Sequence, residues 1–154
     1  MKSKDQTIRR RTAHEDFNSI FARLRVILQK HAGTLEVADD SAGRYCLEGS
    51  PGPAVLAAWG GELRKPSIPV AWVQIGKAYV SYHLMPLYGN SKLHDRMSKE
   101  LKARMQGKTC LNFKRNDEEL FKELEQLTAA GLAAFRKAGY TSDNAAEHAI
   151  VRLR

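Results

Sequence analysis

The stretch 70–85 reads VAWVQI, then Gly76-Lys77, then AYVSYHLM, and it constrains the fold more than any other part of the chain. Two alternating runs rich in β-branched and aromatic residues, joined through a glycine, predict an antiparallel hairpin. Glycine in the first central position suits a two-residue type II′ turn at Gly76-Lys77. With that turn, Ile75 lies opposite Ala78, Val73 opposite Val80 and Ala71 opposite Tyr82. These residues and Leu84 form one nearly apolar face, expected to pack on helices.

The other face then carries Gln74 with Tyr79, Trp72 with Ser81 and Val70 with His83, and Met85 follows. A sheet covered on one side ordinarily shows a polar outside, yet Trp72 and Tyr79 stand where Lys, Thr or Glu would be usual. Two readings follow. In one, the segment Pro51–Pro69 folds over this face and makes it a second core layer. In the other, the face is a binding or self-association surface with Trp72, Gln74, Tyr79, Ser81, His83 and Met85 as contact residues. A one-residue slip in register would exchange the two faces.

The flanking sequence supplies the helices. Phe17, Ile20, Phe21, Leu24, Ile27 and Leu28 recur at helical spacing and make one stripe that ends near Gly33. Thr34–Val37 and Arg44–Leu47 read as short strands around the turn-rich link 39–43, and Ala54–Trp59 as a third strand closed by Gly60-Gly61. Residues 91–106 return to helix with Leu93, Met97, Leu101 and Met105 on one side, and Thr109–Phe113 is a last strand. Asp117, or Asn116 before it, caps a long final helix with Leu120, Leu124, Leu127 and Phe135 on its core face. The order is α-β-β-β-β-β-α-β-α. It implies an α+β fold, an antiparallel sheet with helices mainly on one face. One domain is expected over 14–140, preceded by a disordered basic arm at 1–13 and followed by a tail at 141–154 that can restart as a short helix.

The net charge of +8 over 154 residues is concentrated. Lys2, Lys4, Arg9, Arg10 and Arg11 face only Asp5 in the arm. Lys92, Arg96, Lys99, Lys102, Arg104 and Lys108 face only Asp95 and Glu100 in the next basic segment. The remaining residues balance. Such segments attract polyanions and also aid solubility. Lys92, Arg96, Lys99 and Lys102 fall on one side of their expected helix and are the candidate polyanion contacts, though no nucleic-acid-binding motif accompanies them. No apolar run is long enough for a membrane span, and the N-terminus lacks the apolar segment of a secretory signal. A cytoplasmic chain with free thiols at Cys46 and Cys110 is the simplest expectation, without membrane contact.

Catalytic and cofactor signatures are missing. There is no G-x-S-x-G, no phosphate-binding glycine loop and no helical pair of histidines, so no cofactor, catalytic residue or metal ligand is assigned. Cys110 alternates with Leu111 as a buried strand thiol would. Asp117-Glu118-Glu119 fits the negative start of a helix.

From Lys65 onward the order of features resembles the bacterial YdhG-like domains, a family of unknown biochemical function. The resemblance rests on the stretch from Ala71 to Pro86, the amphipathic helix to Met105, the strand in Gly107–Phe113 and the closing helix, about half the chain. It implies a secretion-chaperone-like α+β fold. One branch of that family is likened to frataxin-type iron chaperones, which implies iron handling as an alternative role. A non-enzymatic ligand- or protein-binding module, with a homodimer through the hairpin face as one form of it, is the leading expectation, with weak polyanion binding beside it.

Overall fold

A computed structural model of the chain describes the backbone of residues 2–61 and 67–142, and side chains from residue 16 onward. It is an α+β fold. The elements run α1 (Lys2–Gln29), β1 (Glu36–Ser41), β2 (Arg44–Gly49), α2 (Pro53–Ala58), β3 (Ile68–Ile75) and β4 (Val80–Leu84). A 3-10 turn (Met85–Leu87), α3 (Ser91–Asp95), α4 (Lys99–Lys102), β5 (Met105–Gln106), β6 (Cys110–Phe113) and α5 (Glu118–Lys137) complete the order. The strands form one sheet in the order β1-β2-β3-β4-β6-β5, and every neighbouring pair is antiparallel.

The apolar stripes meet on one face of this sheet. Ile20, Leu24, Ile27 and Leu28 of α1 and Phe121 and Leu124 of α5 are fully buried against Leu47, Ala71, Val73, Val80, Tyr82, Leu84 and Leu111. Phe113 and Phe121 meet edge to face at 5.2 Å, which locks the end of β6 onto α5. Tyr82 and Thr128 are both inaccessible to solvent, and their hydroxyls pair at 2.6 Å, so this polar contact satisfies itself inside the core. At the surface, Arg23 of α1 holds Glu118 of α5 through Nε and a terminal nitrogen, and Lys30 pairs with Glu125.

Three expectations are corrected, and a fourth falls mostly outside the described residues. Helix α1 includes residues 2–13, expected as a disordered arm; neither Gly nor Pro separates them from the packed turns, so the helix propagates back at one hydrogen bond per residue. The segment expected as a third strand is helix α2, opened by Pro53 in its first turn, where the missing N–H costs nothing. The single helix expected over 91–106 is two short helices and a strand. Asn90 caps the first through Leu93 N, and Ser98 caps the second through Leu101 N. A cap in mid-segment restarts the helix, while Leu93, Met97 and Leu101 still reach the core. Residues 143–154, expected as a tail, lie outside the described residues. Thr141 is buried, and Ser142 N donates to Ser50 O, so the chain is held against the end of β2 up to that point.

Candidate functional site

The hairpin exists, with a different turn. Ile75 pairs with Val80, Gln74 with Ser81, Val73 with Tyr82, Trp72 with His83 and Ala71 with Leu84. The loop is therefore four residues, Gly76–Tyr79, closed by Gly76 N donating to Tyr79 O at 2.9 Å. Gly76 does not have the positive φ that a type II′ turn requires at that position. The shift from the expected register is two residues, an even number, so each strand keeps its inner and outer faces. Tyr79 leaves the sheet for the loop, and Met85 enters the 3-10 turn. Val70 is fully buried, because the register between β2 and β3 slips at Leu47–Glu48 and turns it inward as a bulge residue.

The outer face is thus built from five strands, β2 to β6. One row runs Cys46, Trp72, His83, Cys110 and Gln106, each paired with the next across the sheet. The adjacent row is Arg44, Gln74, Ser81 and Asn112. The Trp72 and His83 rings are stacked, with centroids 4.5 Å apart and planes 12° from parallel. Both are half-buried, and Gln74 is exposed. Beyond His83, Cys110 Sγ lies 3.8 Å from its Nε2 and 3.3 Å from Asn112 Oδ1, and Asn112 Nδ2 donates to Gln106 Oε1 at 2.6 Å.

The helices lie on the opposite face. Helix α1 contacts β2, β3 and β4, and α5 contacts α1, α3, α4 and the 3-10 turn. The described part of the segment expected as a cover docks elsewhere. Gly52 N donates to Gly139 O at 2.7 Å, and the Trp59 ring lies 6.0 Å from that of Tyr140. Residues 51–61 are therefore tied to the end of α5.

Burial sets the protonation of the groups on this face. Burial, and next the Arg44 charge, lower the His83 pKa below its ordinary value, so the imidazole is neutral at neutral pH. Burial raises the Cys110 thiol, partly offset by a hydrogen bond from Ser81. Burial likewise raises Cys46 against the pull of Arg44. Cys110 and His83 therefore meet as a neutral thiol and a neutral imidazole, the opposite of an activated nucleophile pair. Cys46 is buried, as a structural thiol is expected to be, while Cys110 is only half-buried. Arg44 is held by Asp39 at 2.8 Å.

The basic stripe is divided between α3 and α4. Lys92, Arg96, Lys99 and Lys102 are all exposed, with Arg96 in the break between the helices. His94 Nε2 donates to Leu87 O at 2.8 Å. Among the described residues no group of three or more His, Cys, Asp or Glu converges as a metal-ligand set. No helix among the described residues is long and apolar enough to cross a membrane.

Of the six sequence-predicted binding residues, the face brings together Trp72, Gln74, Ser81 and His83. Sequence reasoning missed Arg44, Cys46, Cys110, Asn112 and Gln106, which only strand order can deliver. The available signal was the alternation in Cys110-Leu111-Asn112-Phe113, whose apolar members Leu111 and Phe113 had to face the core. Comparison with protein-family models, with curated proteins and with solved structures finds no match to this chain.

Proposed function

We propose that the chain is a non-enzymatic binding module of the YdhG-like kind that docks a protein surface on its outer sheet face. The stacked Trp72–His83 pair carries this reading. The two rings stack on each other, half-buried, on the sheet face opposite the one α1 packs against, flanked by the amide and hydroxyl groups of Gln74, Ser81 and Asn112. Aromatic area ringed by adaptable hydrogen-bonding groups suits the centre of a protein interface. A second copy of the chain is the simplest such partner.

Iron handling receives less support. The carboxylates at the start of α5 are already engaged, Glu118 by Arg23, Glu123 by the Ser98 N–H and Glu125 by Lys30.

Sedimentation analysis of wild type and Trp72→Ala across a wide concentration range tests the proposal, with amide-shift mapping on the same samples. The expected result is reversible self-association that Trp72→Ala abolishes, with shifts confined to Trp72, Gln74, Ser81, His83 and Asn112. A wild type that stays monomeric, with no shift on this face at the highest concentration, would overturn self-association as its function.

A further inference from the structure

Among the described residues, the cations of two stretches differ in whether they have an ion-pair partner. Each described cation between residues 16 and 61 is ion-paired: Arg23 with Glu118, Arg25 with Asp40, Lys30 with Glu125 and Arg44 with Asp39. From Lys92 to Arg115 the chain carries Lys92, Arg96, Lys99, Lys102, Arg104, Lys108, Lys114 and Arg115. None of these forms a salt bridge among the described residues; Lys108 lies over the Tyr88 ring instead.

Three of them converge. Arg104, Lys114 and Arg115 line a hollow of about 410 Å³ with Phe113, Asn116 and Asp117. The convergence follows from the strand pairing, because Asn112 N donates to Arg104 O at 2.9 Å and so ties the end of α4 to the exit of β6. Asp117 is the only carboxylate among the lining residues, and its Oδ1 accepts from Leu120 N as the cap of α5. Asn116 is steered by a hydrogen bond from its Nδ2 to Ser19 Oγ on α1. The peptide N–H groups of Lys114 and Arg115 have no protein acceptor among the described residues. Three cations without an ion-pair partner around one concavity repel one another, and a phosphoryl group entering it offsets that repulsion while its oxygens accept from guanidinium and ammonium donors.

We infer that the hollow formed by Arg104, Lys114 and Arg115 seats a phosphoryl-bearing anionic ligand. This site is distinct from the sheet face of the proposed function and stands or falls without it. It also shifts the polyanion expectation: the seat is the loop after β6, and Lys99 and Lys102, which precede Arg104 in the chain, form its approach rather than its centre. The ligand can be a free diphosphate group or the backbone of a nucleic acid, since both present the same oxygens.

Amide-shift titrations with inorganic pyrophosphate and with a short oligothymidylate test the site in wild type, Arg104→Ala/Arg115→Ala and Lys92→Ala/Arg96→Ala. Saturable pyrophosphate shifts at residue 104 and residues 113–117 are expected. The first double variant should bind at least roughly tenfold more weakly, and the second should change by less than about threefold. The substituted side chains are exposed, and an unchanged melting temperature verifies that each variant is folded. Oligothymidylate binding tighter than pyrophosphate at the same residues identifies a nucleic-acid backbone as the ligand; equal or weaker binding identifies a small phosphorylated molecule. No saturable shift with either probe overturns the site. So do shifts spread evenly over Lys92–Lys102, or an Arg104→Ala/Arg115→Ala variant that binds as well as wild type.

Discussion

Inside the core a single polar contact decides more than its size suggests. The Tyr82 hydroxyl, fully buried, has Thr128 Oγ1 as its partner, and burial pushes the phenol well above its ordinary ionisation range. Thr128→Val leaves that hydroxyl unsatisfied and should cost about 1 to 3 kcal/mol in denaturant unfolding. Tyr82→Phe should cost less, because the remaining threonine hydroxyl can turn to a carbonyl one helical turn back. The pH dependence has a definite sign. With the folded pKa above the unfolded one, the native state retains a proton that the unfolded state loses. Stability is therefore fully present below pH about 10 and declines above it. An alkaline unfolding series on wild type and Tyr82→Phe checks this, and the variant should lose less stability above pH about 10. His83 runs the other way. Its lowered pKa makes the fold lose stability as pH falls below about 6.5, and His83→Gln should flatten that part of the profile. Residue identities on the outer sheet face were legible because an even slip of register preserves sidedness. Tyr79 and Met85 were not, since a four-residue loop and a 3-10 turn remove them from the ladder without any change in alternation.

Among the elements, the long ones were readable and the short ones were not. Helix α1 declares itself by the stripe from Phe17 to Leu28 and α5 by the stripe from Leu120 to Phe135, and Asp117 as the cap of α5 was recognisable from its place before an acidic first turn. Replacing Asp117 with Ala should cost about 0.5 to 2 kcal/mol by thermal unfolding, because the Leu120 N–H loses its acceptor. Short segments carry too few residues for periodicity to decide. Ala54–Trp59 satisfies a strand as well as a helix until Pro53 is weighed as a helix opener, and 91–106 keeps its apolar spacing across a break made by Ser98. The contact of β2 with the chain after α5 was likewise hidden, since it joins residues far apart in sequence. There a Cβ added at Gly49 would stand 2.5 Å from Thr141 Cγ2 and 3.1 Å from Leu35 Cδ2. Gly49→Ala should therefore destabilise by about 1 to 3 kcal/mol, with the largest amide-shift changes at Leu35 and Thr141.

Across the whole molecule the sheet is unequal from centre to edge. Strands β3 and β4 are paired on both sides and lie under α1, whereas β1 and β5 are edges, β5 being two residues long. Strand β1 is exposed along most of its length and carries Glu36, Asp39 and Asp40. Carboxylates on an open edge oppose pairing with another strand, so the acidic edge is protected from joining a second sheet. The self-association proposed above would then use the Trp72 face rather than extension of the β1 edge. Hydrogen exchange separates these routes. Amides of β3 and β4 should exchange only through global opening, and those of β1 much faster, with the outward-facing β1 amides unchanged as concentration rises. Edge pairing would slow those β1 amides in step with assembly. Face pairing leaves them fast while the Trp72 side chain loses quencher access, and that combination is the expected outcome.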